Sequence, residues 1–383
     1  MTDLPLTKLA ETTTTITLGW TPVLCLGYVL YADGVRKSNS WDPNKSSWKT
    51  NKATELKVVA LGAEAEGLYP PVVPPPLTNR DRLGLSMWKA PYGDTAADFT
   101  SAIVATGAGH IRTDFAASVI RPSSTTWNWT RADTVVGRAN TAGVKVLATC
   151  TYAPSWMNGG NGNDKHPPTD NHYGSYAAVA AEVEKRYGPN LIGIETWNEP
   201  WLSSFWAPTM QPARFIALSK AQAEAVWAVN PSRDIIVSLD YWGQGANAGQ
   251  QFAAAVVAAD TTGFLRHPHV VISTHNYCEA AAPQTNRGVG WSFDRWKLAR
   301  TQSGNPRVWV TEYGWTAPGE VNETTQATYI SDGTKMMLAD GVERVAIFGV
   351  AFAGADNNWG YNLRRPDGTW KPATAAFKKI ADA

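Results

Sequence analysis

The segment LIGIETWNEPW, Leu191–Trp201, decides the fold of this chain. It begins with apolar residues and ends on a polar stretch that carries Asn198 and Glu199, and Pro200 then breaks the pattern. A buried parallel strand has this composition when its carboxyl end presents a side chain to a cleft. The segment therefore predicts a parallel sheet with a carboxylate at the carboxyl end of one strand.

A second segment of the same composition follows further along the chain. It is RVWVTEYGW, Arg307–Trp315, and its polar residue is Glu312. Two glutamates on separate strands of one barrel are what retaining glycoside hydrolysis requires, one as acid/base and one as nucleophile. Either glutamate could instead cap the next helix or pair with a surface arginine. The pair, in this order, favours the catalytic interpretation over the structural one.

The rest of the chain after Arg82 alternates short apolar strands with helical stretches, which predicts an α/β fold. The predicted strands are Leu83–Trp88, His110–Asp114, Val144–Thr149, Leu191–Trp197, Asp234–Leu239, Val270–His275, Arg307–Thr311 and Arg344–Gly349. The predicted helices are Thr95–Thr106, Arg131–Ala142, Tyr176–Arg186, Pro212–Val229, Gln250–Ala259, Ser292–Ser303, Thr325–Ala339 and Lys371–Ala381. This number of units predicts a (β/α)₈ TIM barrel. The alternative is a doubly wound sheet, but its first loop, Met87–Gly93, lacks a glycine-rich phosphate fingerprint.

Residues 1–68 have a different pattern, with period-two alternation that predicts short antiparallel strands. These strands are Thr14–Trp20, Gly27–Ala32 and Glu55–Ala60, and their order resembles a shortened fibronectin type III module. The proline-rich stretch Tyr69–Pro76 predicts a semi-rigid linker. We therefore expect an all-β sandwich at 1–68, a linker at 69–80 and a barrel at 81–383.

Composition excludes several classes of protein. Hydrophobic residues make up 44% of the chain, enough for a sizeable core, and the net charge is only +1. Neither nucleic-acid binding nor attachment to a membrane has support in the charge pattern or in any long apolar run. No signal peptide is visible at the N-terminus. We expect an extracellular or particle-associated protein, for example on a phage tail, whose N-terminal module docks to a larger assembly or a glycan.

Aromatic residues and cysteines carry further information. The chain has 18 Trp and 13 Tyr, which suit a carbohydrate cleft and equally suit core packing. The cysteines are Cys25, Cys150 and Cys278, an odd number at wide spacing, which does not predict a disulfide framework. Cys150 and Cys278 could lie close together, but buried free thiols are the expected state.

The residues at the predicted strand ends resemble those of the clan A glycoside hydrolases, which include families 5 and 39. The resemblance is carried by Asn198-Glu199-Pro200, Glu312, Arg112 within HIRTD, and His275-x-Tyr277. It implies that Glu199 is the acid/base and Glu312 the nucleophile. It also implies that Asn198 donates to the sugar 2-hydroxyl, that Arg112 and Tyr277 keep the nucleophile ionised, and that His275 orients these groups. Arg112, Tyr277 and His275 also have structural alternatives, as an ion pair with Asp114 or as core side chains.

Aromatic residues near the strand ends are candidates for binding the sugar. The candidates are Trp88, Tyr152, Trp156, Trp315 and Trp359. A row of tryptophans along the cleft (Trp88, Trp156, Trp201, Trp206 and Trp315) would favour internal cleavage of a polysaccharide. Strand eight departs from the clan, since it lacks the tryptophan that forms a floor for the sugar, and Phe352, Trp359 or Asp356 could take that place.

Other functions remain as alternatives. The main one is a non-catalytic carbohydrate-binding or adhesion protein on a degenerate barrel. An aldolase would need a strand-end lysine, for which Lys89 is the candidate, since Lys145 lies near the start of its strand. The spacing of His267, His269 and His275 matches no metal-ligand pattern. We therefore expect neither a metal nor a cofactor.

Overall fold

A computed structural model of the chain describes residues 77–87, 95–240, 252–285, 292–349 and 360–383 with their side chains. In the first 76 residues, and at the start of the helix Ala248–Ala259, it describes only the backbone of strands and helix. Contacts divide the chain into two compact units. Met1–Pro76 and Asp260–Pro268 form one, and Leu77–Ala259 with His269–Ala383 form the other.

The larger unit is a closed barrel of eight parallel strands, as the sequence predicts. The strands are β8 (Leu83–Ser86), β9 (His110–Asp114), β10 (Lys145–Thr149), β11 (Leu191–Glu195), β12 (Ile235–Ser238), β13 (Val270–Asn276), β14 (Val308–Tyr313) and β15 (Arg344–Phe348). Each strand pairs with its neighbours in chain order, and β15 closes the barrel by pairing with β8. Closure rules out the doubly wound sheet.

Helices connect successive strands at the predicted places. The long helices are Ala96–Thr106, Thr130–Thr141, Tyr173–Tyr187, Pro212–Trp227, Ala248–Ala259, Arg295–Ser303, Glu323–Ala339 and Pro372–Ala381. Short helices at Asn79–Arg82 and Ala117–Ile120 were not predicted. In the described part of the chain, no helix is long and apolar enough to cross a membrane.

The barrel interior changes from apolar to polar along the strands. Leu147, Ile236, Val271 and Trp309 form a buried apolar cluster. Gly193 lies at the same level, where a Cβ would meet the end of the Ile236 side chain, so glycine leaves room for Ile236 in the cluster. Side chains two positions apart share one face of a strand. The residues two positions further along these strands are polar: Thr149, Glu195, Ser238, Ser273 and Thr311. The apolar layer therefore supports a polar layer nearer the carboxyl ends.

The described part of the first 76 residues contains seven short strands. They are β1 (Thr2–Asp3), β2 (Thr7–Glu11), β3 (Thr15–Gly19), β4 (Gly27–Ala32), β5 (Val35–Ser40), β6 (Ser47–Asn51) and β7 (Leu56–Leu61). They pair antiparallel in two sheets, β1-β7-β4-β5 and β2-β3-β6. The three predicted strands correspond to β3, β4 and β7. The predicted linker Tyr69–Pro76 lies outside the described residues.

Candidate active site

A cavity of about 450 Å³ opens at the carboxyl ends of the barrel strands. Its walls are Ser86, Met87, Arg112, Thr113, Asp114, Tyr152, Asn198, Glu199, Leu202, Phe205, Tyr277, Glu279, Glu312, Glu320, Phe348 and Tyr361. These include six of the predicted site residues: Arg112, Tyr152, Asn198, Glu199, Tyr277 and Glu312. A seventh, His275, is buried and contacts both glutamates. The fold thus brings together side chains that lie up to 200 positions apart in the sequence.

Glu199 lies four residues beyond the end of β11, in a backbone conformation that is rare for a residue with a side chain. Its φ is 43°, in the left-handed region, which costs of order 1 kcal/mol. Its Oε1 lies 2.8 Å from Nδ1 of His275. Burial raises the pKa of Glu199 and the negative charge of Glu312 adds to this, while His275 opposes both. The result favours a protonated Glu199.

Glu312 lies within β14 and has several donors. Nη1 of Arg112 lies 2.5 Å from its Oε1, and the Tyr277 hydroxyl donates to Oε2 at 2.7 Å. Ser86 adds a longer contact of 3.3 Å to Oε1. Burial alone would raise the pKa of Glu312, but the positive charges of His275 and Arg112 and these hydrogen bonds hold it below its ordinary value. Glu312 is therefore the ionised carboxylate of the two.

His275 is held between the two glutamates. Its Nδ1 is 3.5 Å from Oε2 of Glu312, in addition to the contact with Glu199. Burial opposes the imidazolium form, but the two carboxylates outweigh this effect and raise the pKa of His275. The backbone N–H of His275 donates to Asp240, which forms a buried ion pair of 3.0 Å with Arg295. This ion pair fixes the end of β13.

Arg112 on β9 connects the site. Beyond Glu312, its Nη2 donates to Oδ1 of Asn198 at 2.8 Å and its Nε to Oε2 of Glu195 at 2.6 Å. Arg112 therefore forms its ion pairs with Glu195 and Glu312, whereas Asp114, its partner in the structural alternative, interacts with it through its charge. Sequence reasoning missed Glu195. The available signal was a carboxylate inside the apolar run of β11, on the same strand face as Gly193.

The tryptophans predicted to line the cleft are placed differently. Trp201, Trp206 and Trp315 are buried, and the Trp315 ring stacks on Phe293 at 5.2 Å, so its assignment to substrate binding is wrong. Trp156 is half-buried beside Arg121, away from the cavity walls. Large aromatic rings pack in the core wherever the helices leave room for them. The row of cleft tryptophans is therefore not present among the described residues.

Other aromatic residues line the cavity instead. Tyr152 does so as predicted, and its backbone φ is 53°. Phe205, Phe348 and Tyr361 were missed; Phe348 and Tyr361 pack edge to face with each other and with Tyr277. Trp88, Trp359, Phe352, Asp356 and Lys89 lie outside the described residues. Lys145 is at the start of β10 and donates to the Pro189 carbonyl, so it is not an aldolase lysine.

One cluster could also hold a cation. Ligand atoms of Glu199, His275 and Glu312 lie within 4.8 Å of one another, and this donor set suits zinc or iron. Arg112 already supplies positive charge beside Glu312, so a metal would compete with it. The cysteines form no part of this cluster: Cys150 and Cys278 are buried thiols, and Cys25 lies outside the described residues.

A closed parallel barrel with two buried glutamates and an arginine in a cavity at the carboxyl ends of its strands defines a barrel glycosidase. The family model described as cellulase, glycosyl hydrolase family 5, matches residues 76–346. The chain belongs to this family. Among curated proteins, none is similar enough in sequence to count as a match.

Solved structures with the same fold include other glycosidases. A family 39 glycoside hydrolase from the gut symbiont Bacteroides cellulosilyticus WH2 has a TM-score of 0.64 at 19% identity, over 98% of this chain and 78% of that one. A glucosidase from Croceicoccus marinus has a TM-score of 0.60 at 18% identity, over 80% of this chain and 69% of that one. Xylanase 10B from Thermotoga petrophila RKU-1, in complex with xylobiose, has a TM-score of 0.57 at 14% identity, over 79% of this chain and 94% of that one.

Proposed function

We propose that this glycosidase cleaves a polysaccharide or glycoconjugate with retention of configuration, with Glu199 as acid/base and Glu312 as nucleophile. The observation that carries the proposal is the opposed environment of two carboxylates that each place one oxygen within 4.8 Å of an oxygen of the other. Retaining enzymes hold their carboxyl groups about 5–5.5 Å apart, whereas inverting enzymes leave about 6.5–9.5 Å for a water molecule. The close spacing supports retention.

In the first step, the Glu312 carboxylate attacks the anomeric carbon while Glu199 gives its proton to the departing glycosidic oxygen. A glycosyl ester forms on Glu312, and Glu199 becomes ionised. In the second step, Glu199 takes a proton from water as the water attacks the anomeric carbon, and the ester bond to Glu312 breaks. Both glutamates return to their starting states, so the cycle balances without a cofactor.

Asn198 and Tyr277 assist these steps. The Asn198 amide accepts from Arg112 through Oδ1, so its NH₂ group is left to donate to the sugar 2-hydroxyl, a contact that strengthens in the transition state. Burial and the charge of Glu312 raise the pKa of Tyr277 well above its ordinary value. Tyr277 therefore stays protonated and keeps donating to the nucleophile. His275, between the two glutamates, orients them.

The polymeric substrate and the surroundings of the enzyme are also proposals. We propose internal cleavage of a polysaccharide such as a cell-wall glycan. Three of the five tryptophans whose row favours internal cleavage are buried and do not support it. Product lengths from end-labelled oligosaccharides distinguish internal from terminal cleavage. We propose that residues 1–68 form a fibronectin type III-like sandwich that docks the extracellular or particle-associated enzyme to a larger assembly or glycan. The likeness to the family 39 enzyme extends over 98% of the chain and so includes residues of the N-terminal unit.

Trapping the covalent intermediate tests the mechanism. A panel of 2-deoxy-2-fluoroglycosyl fluorides of gluco, manno, galacto and xylo configuration should inactivate the enzyme, since the fluorine slows hydrolysis of the glycosyl ester more than its formation. Mass spectrometry of peptides should place the adduct on Glu312. An adduct on Glu199 would reverse the roles. Carbohydrate binding with neither inactivation nor hydrolysis of any glycan would instead favour a binding protein on a degenerate barrel.

A further inference from the structure

The buried carboxylate of Glu195 has no part in the mechanism above. It ends β11 on the inward face of the barrel, four residues before Glu199, and none of its surface is exposed. A carboxylate removed from water is costly unless donors surround it. The buried position of Glu195 therefore has to be explained by the contacts that its carboxylate makes.

Both oxygens of Glu195 are filled by donors from five other strands. Oε2 accepts from Nε of Arg112 at 2.6 Å and from Thr149 at 2.9 Å. Oε1 accepts from Thr311 at 3.0 Å, Ser273 at 3.2 Å and Ser238 at 3.5 Å. The hydroxyls belong to β10, β14, β13 and β12, and Arg112 belongs to β9. This polar layer holds one carboxylate at the centre of the barrel, directly above the apolar cluster.

Glu195 fixes the orientation of the Arg112 guanidinium. The guanidinium is planar, so a contact at Nε sets the directions in which Nη1 and Nη2 point. With Nε on Glu195, Nη1 reaches Glu312 at 2.5 Å and Nη2 reaches Asn198 at 2.8 Å. The buried Glu195 thus orients Arg112 toward two side chains. They are Glu312, the proposed nucleophile, and Asn198, the side chain proposed to bind the 2-hydroxyl.

The negative charge of Glu195 also offsets part of the positive potential that Arg112 produces at Glu312. Burial would lower the pKa of Arg112, but the charges of Glu195 and Glu312 raise it well above its ordinary value, so the side chain is a permanent cation. If Glu195 were neutral, its negative charge would no longer offset that of Arg112 at Glu312, and the net positive potential at the nucleophile would rise. A carboxylate that holds its electrons more tightly is a weaker nucleophile.

We infer that Glu195 is a positioning residue that orients Arg112 toward Glu312 and offsets part of its positive potential there, so that the nucleophile is ionised but still reactive. This inference rests on the proposed role of Glu312. Glu195→Gln removes the charge and keeps the shape. The glutamine oxygen can accept from Arg112, and the two hydrogens of its NH₂ group can be donated to two of the hydroxyls of Thr311, Ser273 and Ser238, which can rotate to accept.

The test compares Glu195→Gln with Thr196→Val. Thr196 is the next residue, and its hydroxyl hydrogen-bonds Ser219 at 2.9 Å, so the control also loses a buried polar contact. Glu195→Gln should lower kcat by about tenfold and move the acid limb of the kcat/KM profile to lower pH by about half a unit. Thr196→Val should leave the acid limb in place. An equal shift in both variants, or in neither, overturns the inference.

A titration without substrate separates this inference from the proposed function. The Glu312 carboxyl is followed by ¹³C NMR of protein labelled at glutamate Cδ and assigned by its absence in Glu312→Gln. It should titrate at lower pH in Glu195→Gln than in the wild type. Glu195→Asp keeps the charge, so its titration should stay near the wild type while kcat falls because Arg112 is misaligned. If the pKa of Glu312 is unchanged in Glu195→Gln, the inference is overturned. Should the glutamine variant not fold, an unchanged kcat in Glu195→Asp overturns it. A wild type that hydrolyses no glycan contradicts the proposed function, and the titration still decides the role of Glu195.

Discussion

The ends of β11 and β14 present the same side chain in opposite environments. Glu199 lies beyond its strand, in a strained backbone, and among the described residues its side chain contacts His275. Glu312 lies within its strand and receives Arg112, Tyr277 and Ser86. Both are buried, so burial cannot distinguish them. The arginine, tyrosine and serine contacts of Glu312, set against the contact of Glu199 with His275, favour a protonated Glu199 and an ionised Glu312, the states that the proposed acid and nucleophile need.

Removing the nucleophile should have the largest effect. Glu312→Gln leaves the cavity shape but no group to form the glycosyl ester, so kcat should fall by at least about 10⁴-fold. Glu323→Gln is the matched control, since it removes a carboxylate from the ion pair with Arg365 outside the cavity. Circular dichroism checks that both variants are folded. Turnover near the wild-type rate in Glu312→Gln would contradict the assignment.

Removing the acid should have a smaller and selective effect. Glu199→Ala should lower kcat/KM on natural glycans by about 10³-fold, the scale of general acid catalysis. Aryl glycosides with good leaving groups need no proton in the first step and should lose much less. The basic limb of the pH profile should also disappear, because it reports loss of the proton from Glu199. Equal losses on both substrates would show that Glu199 is not the acid.

Weakening the donors of Glu312 should bring the two glutamates closer in pKa. Tyr277→Phe removes one hydrogen bond to a charged group, about 1.5–3 kcal/mol, so kcat/KM should fall by roughly 10–100-fold. The pKa of Glu312 should rise, and because the ionised form is active, the acid limb should move to higher pH by about one unit. Tyr313→Phe, next to Glu312 on the same strand, loses a hydroxyl contact with Thr334 of the helix Glu323–Ala339 and should not move the limb. A shift in both variants would indicate a general structural effect.

Removing metal should have the smallest effect. Arg112 already provides positive charge beside Glu312, so dialysis against EDTA should leave kcat/KM within about twofold. Elemental analysis before and after dialysis provides the control. A fall in kcat/KM on dialysis that added zinc reverses would show that Glu199, His275 and Glu312 hold a metal. The charge of that metal would then have to be included in the comparison of the two glutamates.

Much of this site could be predicted from local sequence, because strand ends in a parallel barrel meet at one edge. That rule brought Arg112, Glu199 and Glu312 together without a structure. It failed for Trp315, whose ring turns into the core beside Phe293 just after its strand. It also gave no sign of the role of Glu195, since the hydroxyls around this carboxylate come one each from four other strands. Such contacts depend on register across the barrel, which a single sequence does not display.

The stereochemistry of the first product tests the central claim most directly. Proton NMR during early hydrolysis, before mutarotation, reports the anomeric configuration of the released sugar. The paired environments of Glu199 and Glu312 predict that the product first appears with the same configuration as the substrate. A product that first appears with the opposite configuration would contradict the account, since water would then have attacked directly and Glu312 could not be the nucleophile.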